Sequence, residues 1–452
     1  MGKRWLIAGG LVAVLAAGAG LLGGCGSAPQ QGDYVPKPAP APSTAAYDSL
    51  AVAQPDIPER LTAEDYDAWF DLRERNPVDA DFAQSLSAFA YRSAAAVLDP
   101  ATGASDASGS NSAYSPLSLY YALALAGEGA AGATAEQIDA ALGVPANVDA
   151  AAQCGNLFRT LASDPQSQVT LANSIWLGKD TPFEQAFIDT ATDQFYATPF
   201  AAQFGTAATD DAIAAWIAEN TGGLIEPDVQ TDASQILSII NAIYFKDSWM
   251  DPFDASATQQ DVFHAEGGDV EADFMTQRLV DPQDFRRTDT YLRASRAFGS
   301  GATMTFVLPA ESTSAAELMA DSAALEEAFT APSGSLGRIT YIVPKAAFDS
   351  SYDLIPALER LGVRDAFGDA ADFSNLTPVP AFISEVKQES HVTWDEEGAE
   401  AGAYTSIGIA KSALVPEDVE EVELRLDRPF LFQIATSQGI PLFVGLCGNP
   451  TA

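Results

Sequence analysis

Two histidines, His264 and His391, are the only imidazoles in 452 residues, so little side-chain chemistry is available for catalysis. They stand far apart, with no serine elbow and no HExxH pattern, and neither a Ser-His-Asp triad nor a zinc site is supported. Carboxylates number 62, so acid pairs occur everywhere by chance and carry no information about glycosidase-like chemistry. Gly18–Gly23 and Gly127–Gly132 both have the spacing of a dinucleotide-binding loop. The first lies in an N-terminal apolar segment and the second follows a helical pattern, so neither cradles a phosphate at a strand-to-helix turn. No metal and no cofactor are expected, nor is enzymatic activity. The informative stretch runs from Glu396 to Ile409. Counted by twos, Ala399, Ala401, Ala403, Thr405, Ile407 and Ile409 share one face of a strand, and Glu400, Gly402, Tyr404, Ser406 and Gly408 share the other. The same composition suits an exposed loop. A segment able to live as a loop outside and as a strand inside is a conformational switch.

That pattern resembles the hinge and reactive-centre loop of the serpins, and further matches recur over residues 82–450. Asn111–Leu119 with Gly132–Ile138 resembles the family's second helix and the turn after it. Asn241–Lys246, with Trp249, Pro252 and Phe253, resembles the strand crossing under the sheet opening. Arg428–Phe432 and Leu442–Gly445, ending in Asn449-Pro450, resemble the C-terminal signature. The resemblance implies an α+β fold, a large mixed central β-sheet with further sheets and surrounding helices, and an exposed reactive loop.

It also implies a function. A serine protease attacks a bond in the loop, and the freed loop enters the sheet as a new strand and traps the acyl-enzyme. The hinge is then Glu396, Glu397, Gly398, Ala399, Glu400, Ala401, Gly402 and Ala403, whose inward set holds no charge and no proline. Family spacing puts the cleaved bond between Ser412 and Ala413, with Lys411-Ser412 as the alternative after a one-residue shift. Small residues at 410, 412 and 413 favour an elastase-like protease, and Lys411 keeps a trypsin-like one open. Glu396 and Lys345 match two positions that pair at the top of the sheet next to Trp249. Ser115, Ser118 and Asn241 match the polar cluster under its centre, where Gln388 stands in place of the usual histidine. Gln keeps donor and acceptor but removes pH sensitivity. A non-inhibitory serpin cleaved as a substrate, and a solute-binding lipoprotein from another class, are the alternatives.

The remaining elements must position that switch. Helical patterns cover about 82–97, 115–127, 134–142, 149–163, 183–194 and 209–219. Strand-like runs lie near 168–177, 236–246, 258–264, 303–308, 338–349, 382–394, 421–425, 430–436 and 441–447. Lys3 and Arg4 precede an apolar run ending at Gly23-Gly24-Cys25, which resembles a bacterial lipoprotein signal. Residues 1–25 are read as that signal, 26–60 as a Pro/Ala-rich tether and 61–452 as the serpin domain. A lipid on Cys25 would hold the chain on the membrane, facing outside the cytoplasm. Cys154 and Cys447 are read as separate thiols. The balance of 62 acidic against 23 basic residues, formally −39, disfavours nucleic acid and anionic membrane surfaces and favours cationic partners. Extracellular serine proteases are the expected partners, and the protein is expected to be a monomer.

Overall fold

Burial of the alternating apolar faces divides the strands between two sheets, seen in a computed structural model that describes residues 47–99, 102, 104, 111–165, 168–332, 334–399 and 419–452. One sheet has ten strands and the other six. The six-stranded sheet runs in the order Ala346–Asp353, Lys387–Trp394, Gly398–Ala399, Leu237–Ser248, Gln168–Gly178, Ala197–Ala202. Only its last pair is parallel, so the sheet is mixed. Helices around a mixed sheet are the α+β arrangement expected from the sequence.

The run read as one strand over 338–349 divides between the two sheets. Ser335–Pro344 belongs to the ten-stranded sheet and Ala346–Asp353 to the six-stranded one, with Lys345 as the single residue between them. A proline at the turn makes this boundary legible after the fact, since Pro344 cannot donate to a ladder. The run 382–394 forms a strand only from Lys387. Further strands lie outside the strand-like runs of the sequence: Ser112–Tyr114 and Ala197–Ala202, which are short, and Gly268–Arg278, Gln283–Arg287 and Tyr291–Ala297, whose patterns are interrupted by charge.

Local signals start the helices that brace the slot sheet. Ser115 caps helix Pro116–Gly129, its Oγ accepting from the Ser118 backbone N–H, and Pro116 supplies the preset φ of a first turn. Asp149 caps helix Ala150–Ala162 in the same way. Helix Ala207–Asn220 crosses the outer face of the sheet, burying Ala212, Ile213 and Trp216 against Trp176 and Ala242.

The folded body begins before the boundary expected at residue 61. Ala51 pairs with Phe200 on the edge strand, and Val52 N–H donates to Pro199 O at 2.8 Å. Tyr47 is buried and its hydroxyl donates to Glu219 of helix Ala207–Asn220. Apolar anchors spaced among the prolines bring residues 47–60 onto the domain surface, which composition alone did not reveal.

Candidate functional site

Two strands define the site. Leu237–Ser248 and Lys387–Trp394 are separated by the two-residue strand Gly398–Ala399, and among the described residues no other ladder joins them. Ala399 faces Trp394 on one side and Asp247 on the other, and it is 3 % exposed. Gly398 leaves no room for any other residue, since a Cβ there would lie 2.1 Å from the carbonyl oxygen of Asp247. The chain at 398–399 is therefore a strand start inserted between two strand tops. Below it, among the described residues, no strand lies between the two, and the space they flank is the slot.

The top of the slot is held by charge and by hydrogen bonds to the hinge backbone. Lys345 Nζ lies 2.8 Å from Glu396 Oε2, and Thr258 Oγ1 donates to Glu396 Oε1 at 2.7 Å. Burial alone would push the Glu396 carboxyl up. The bonds from Lys345 and Thr258 outweigh it and hold the group below its ordinary value. Trp249 donates through its indole to Asp395 O and through its backbone to Glu397 O, both at 2.8 Å, and Phe253 N–H donates to Glu396 O at 2.9 Å. Thr258, which the sequence did not mark, thus joins Glu396, Lys345, Trp249 and Phe253.

Beneath Trp249 lies a buried guanidinium. Arg296 is stacked against Phe253 at 4.0 Å, Tyr341 at 5.1 Å and Trp249 at 5.3 Å, and Trp249 also stacks on Phe298 with centroids 4.5 Å apart. Its Nη2 donates to Gln277 Oε1 and to Asp251 O. Burial lowers its pKa to about 10. Cation–π contact with three rings stands where a carboxylate partner would be expected. Nothing in the local sequence around Arg296 announces this role.

Asp247, opposite Ala399, is a buried carboxyl whose Oδ2 accepts from Ser300. Burial pushes its pKa up to about 6, and the Ser300 bonds only partly offset this.

The polar cluster at mid-sheet is assembled in part. Gln388 Oε1 accepts from Ser115 N–H at 2.8 Å and its Nε2 donates to Ser115 O at 2.9 Å, with Ser118 one turn away. Asn241 does not join them by a direct bond. Its amide donates to Asn173 Oδ1, and its own Oδ1 is buried without a partner. Asn241, Ser118 and Gln388 instead line one cleft at the base of the slot, together with Leu119, Leu237, Ile239 and Val386. His391 points to the other face, as its parity requires, with Nδ1 2.7 Å from Asp349 Oδ1. His264 pairs separately with Asp269.

Among the described residues no cluster of His, Cys, Asp and Glu could hold a metal ion, and no helix is long and apolar enough to cross a membrane. Cys154 and Cys447 are buried free thiols, both pushed up by burial. Glu400, Ala401, Gly402, Ala403, Lys411, Ser412, Ala413 and Cys25 lie outside the described residues.

The comparisons agree with this geometry. The family profile Serpin (serine protease inhibitor) matches residues 91–450. Serpin-ZXA of Oryza sativa subsp. japonica is 31% identical over 390 residues, which is 80% of this chain and 96% of that protein. Among solved structures, the thermophilic serpin tengpin in its native state aligns with TM-score 0.70 at 25% identity, covering 82% of this chain and 95% of tengpin. Human thyroxine-binding globulin in complex with thyroxine aligns with TM-score 0.69 at 23% identity, covering 82% and 100%, a likeness of fold alone. With a hinge seated between two strand tops and a family match over most of its length, the chain belongs to the serpin family.

Proposed function

We propose that this protein inhibits serine proteases outside the cytoplasm by acyl trapping, its reactive loop entering the slot below Ala399 after cleavage. The burial of Ala399 between Trp394 and Asp247 carries the reading, because it fixes the register in which a strand would continue. Carried down antiparallel by twos, that register sets Ala401 between Phe245 and Val392, and Ala403 between Ile243 and Ser390. Thr405 falls between Asn241 and Gln388. Ile407 falls between Ile239 and Val386, and Ile409 between Leu237 and Ser384.

The chemistry matches position by position. Alanines meet the narrow upper slot, whose cavity of about 20 Å³ between Ile243, Phe245 and Val392 leaves little room for larger side chains. Thr405 brings a hydroxyl to the level of the unpartnered Asn241 Oδ1, and an orphaned acceptor is costly until it is paired. Ile407 and Ile409 meet the apolar cleft lined by Leu119, Leu123, Phe187, Leu237 and Ile239, where each burial is worth about 1.5–3 kcal/mol. New ladder bonds add about 1 kcal/mol net each. Lys345–Glu396, Trp249 and the Ser115–Gln388 pair hold the native arrangement until cleavage.

The cleaved bond is Ser412-Ala413 in this reading, with Lys411-Ser412 as the alternative, and the small flanking residues favour an elastase-like target. The −39 formal charge favours a cationic one. Residues 1–25 act as a lipoprotein signal and Cys25 carries the lipid, as Lys3, Arg4, the apolar run and Gly23-Gly24-Cys25 support. The protein acts as a monomer, as a binder and not as an enzyme.

The test is to incubate the full chain in detergent with elastase-like and trypsin-like serine proteases, followed by denaturing gels and mass spectrometry. A complex stable to denaturant, releasing a peptide that begins at Ala413, is expected. Cleavage without complex across the panel would overturn the inhibitory reading and leave a serpin cleaved only as a substrate. The mass of the mature N-terminus tests lipidation of Cys25.

A further inference from the structure

On the outer face of the six-stranded sheet, away from the slot, lies a cleft of about 230 Å³. Its walls are helix Ala207–Asn220, helix Ala150–Ala162 and strand Gln168–Gly178, and residues 57–60 close one side. The N-terminal chain spans this gap, leaving the sheet edge near Ala51 and meeting the body again where Leu61 N–H donates to Ser163 O. It makes a wall without filling the space.

The cleft is aromatic and hydroxylated. Phe158 and Tyr196 stack with centroids 4.3 Å apart at 8°, and Trp216 adds a third ring from the helix above. Thr170 and Thr198 line it from the sheet and Asn220 from the helix end. Such a surface offers flat π faces with a few polar groups to orient a ligand, the usual make-up of a small-molecule site.

Its charge runs against that of the molecule. Among the described residues no acidic one lines the cleft, in a chain with 62 of them. Arg60 sits at its lip, with Nε donating to Asp164 O at 3.3 Å and no ion pair among the described residues. Arg159 lies over the Tyr196 ring at 5.5 Å, and its Nη1 meets only the amide oxygens of Asn76 and Asn156. Two guanidiniums beside an acid-free aromatic cleft favour an anion at one end and a ring system at the other. A cavity of about 150 Å³ holds a benzene ring, so this one has room for a fused pair of rings.

We propose that this cleft is a binding site for a small aromatic anion, a one- or two-ring compound carrying a carboxylate or sulfonate. The rings lie between Trp216 and the Phe158–Tyr196 stack, and the anion meets Arg60. The site does not depend on the loop or on the inhibitory reading.

The test uses the full chain and two environment-sensitive two-ring dyes, 5-(dimethylamino)naphthalene-1-sulfonate and its uncharged sulfonamide. The expected result is a saturable rise in sulfonate-dye emission that Thr170→Trp abolishes by filling the cleft. Arg60→Gln, at an exposed position, should weaken the sulfonate dye about tenfold and leave the neutral dye unchanged. If Thr170→Trp melts without a cooperative transition, Ala162→Phe serves as the filling variant. Emission that never saturates, or that survives the filling variant unchanged, overturns the site and places the dye elsewhere, such as the apolar cleft at the base of the slot. Equal loss of both dyes in Arg60→Gln overturns the anionic class.

Discussion

Lys345 Nζ lies 2.8 Å from Glu396 Oε2, and Lys345 is the one residue between the strand that ends at Pro344 in the ten-stranded sheet and the strand that begins at Ala346 in the six-stranded sheet. The pair therefore ties the hinge to the junction of both sheets. Lys345→Met should destabilise the native protein by about 1–3 kcal/mol at pH 7, because Glu396 is left mostly buried and loses its cationic partner. The Glu396 carboxyl is held below its ordinary value in the folded state, so its contribution is present above the unfolded pKa and is lost as pH falls through the folded one. Thermal melts of wild type and variant should differ at pH 7 and converge in acid. A gap that persists unchanged into acid would show that the pair adds nothing.

Asp247 has the opposite sign. Its folded pKa of about 6 lies above the ordinary aspartate value of 3.8, so its contribution is fully present below pH 3.8 and is lost as pH rises through 6. Asp247→Asn keeps an acceptor for Ser300 and removes the buried charge. The variant should gain up to about 3 kcal/mol at pH 7.5 and nothing at pH 3.8 or below. Melting curves at those two pH values decide it, and equal gains at both would refute the assignment of the shift to burial.

Gly398→Ala sets a methyl group against the carbonyl of Asp247, 2.1 Å away, where the backbone of Asp247 and Ser248 must move. Overpacking of this kind costs about 1–3 kcal/mol. The predicted result is a lower melting temperature together with proteolytic sensitivity at the hinge. A variant as stable and as resistant as wild type would mean that the strand start at 398–399 is not held in solution.

Ala399→Arg should convert inhibition to substrate cleavage, since Ala399 is buried between Asp247 and Trp394 and a side chain that long overpacks the slot top and stalls the entry of every residue behind it. The measure is the fraction of protease recovered as denaturant-stable complex, expected to fall at least about tenfold for a penalty above 1.4 kcal/mol. Undiminished complex would refute insertion through this register.

Thr405→Val separates the two states. If Thr405 reaches the level of Asn241 only after cleavage, the uncleaved variant should melt like wild type, and the cleaved variant should lose about 1–3 kcal/mol of the stabilisation that cleavage brings. An effect on the uncleaved protein alone would be inconsistent with the proposed register.

The alternation from Ala399 to Ile409 is a property of the sequence by itself, as are the small inward residues, the glycine before them and the family's C-terminal signature. Period-2 patterning reports which residues share a face, and it does so wherever the strand finally lies. Helix starts at Ser115 and Asp149 were equally local, because a cap bonds to its own first turn. Glu396 and Lys345 could be matched to each other only through the resemblance, since no local rule links a loop residue to one between two strands. Tertiary structure alone decided the rest. The run from 335 to 353 divides between two sheets, Asp247 is buried and shifted, Arg296 sits among three rings, and residues 47–60 rest on the domain. Each depends on what lies across space from a residue, and burial, charge partner and cavity shape are set by topology, which short-range periodicity does not encode.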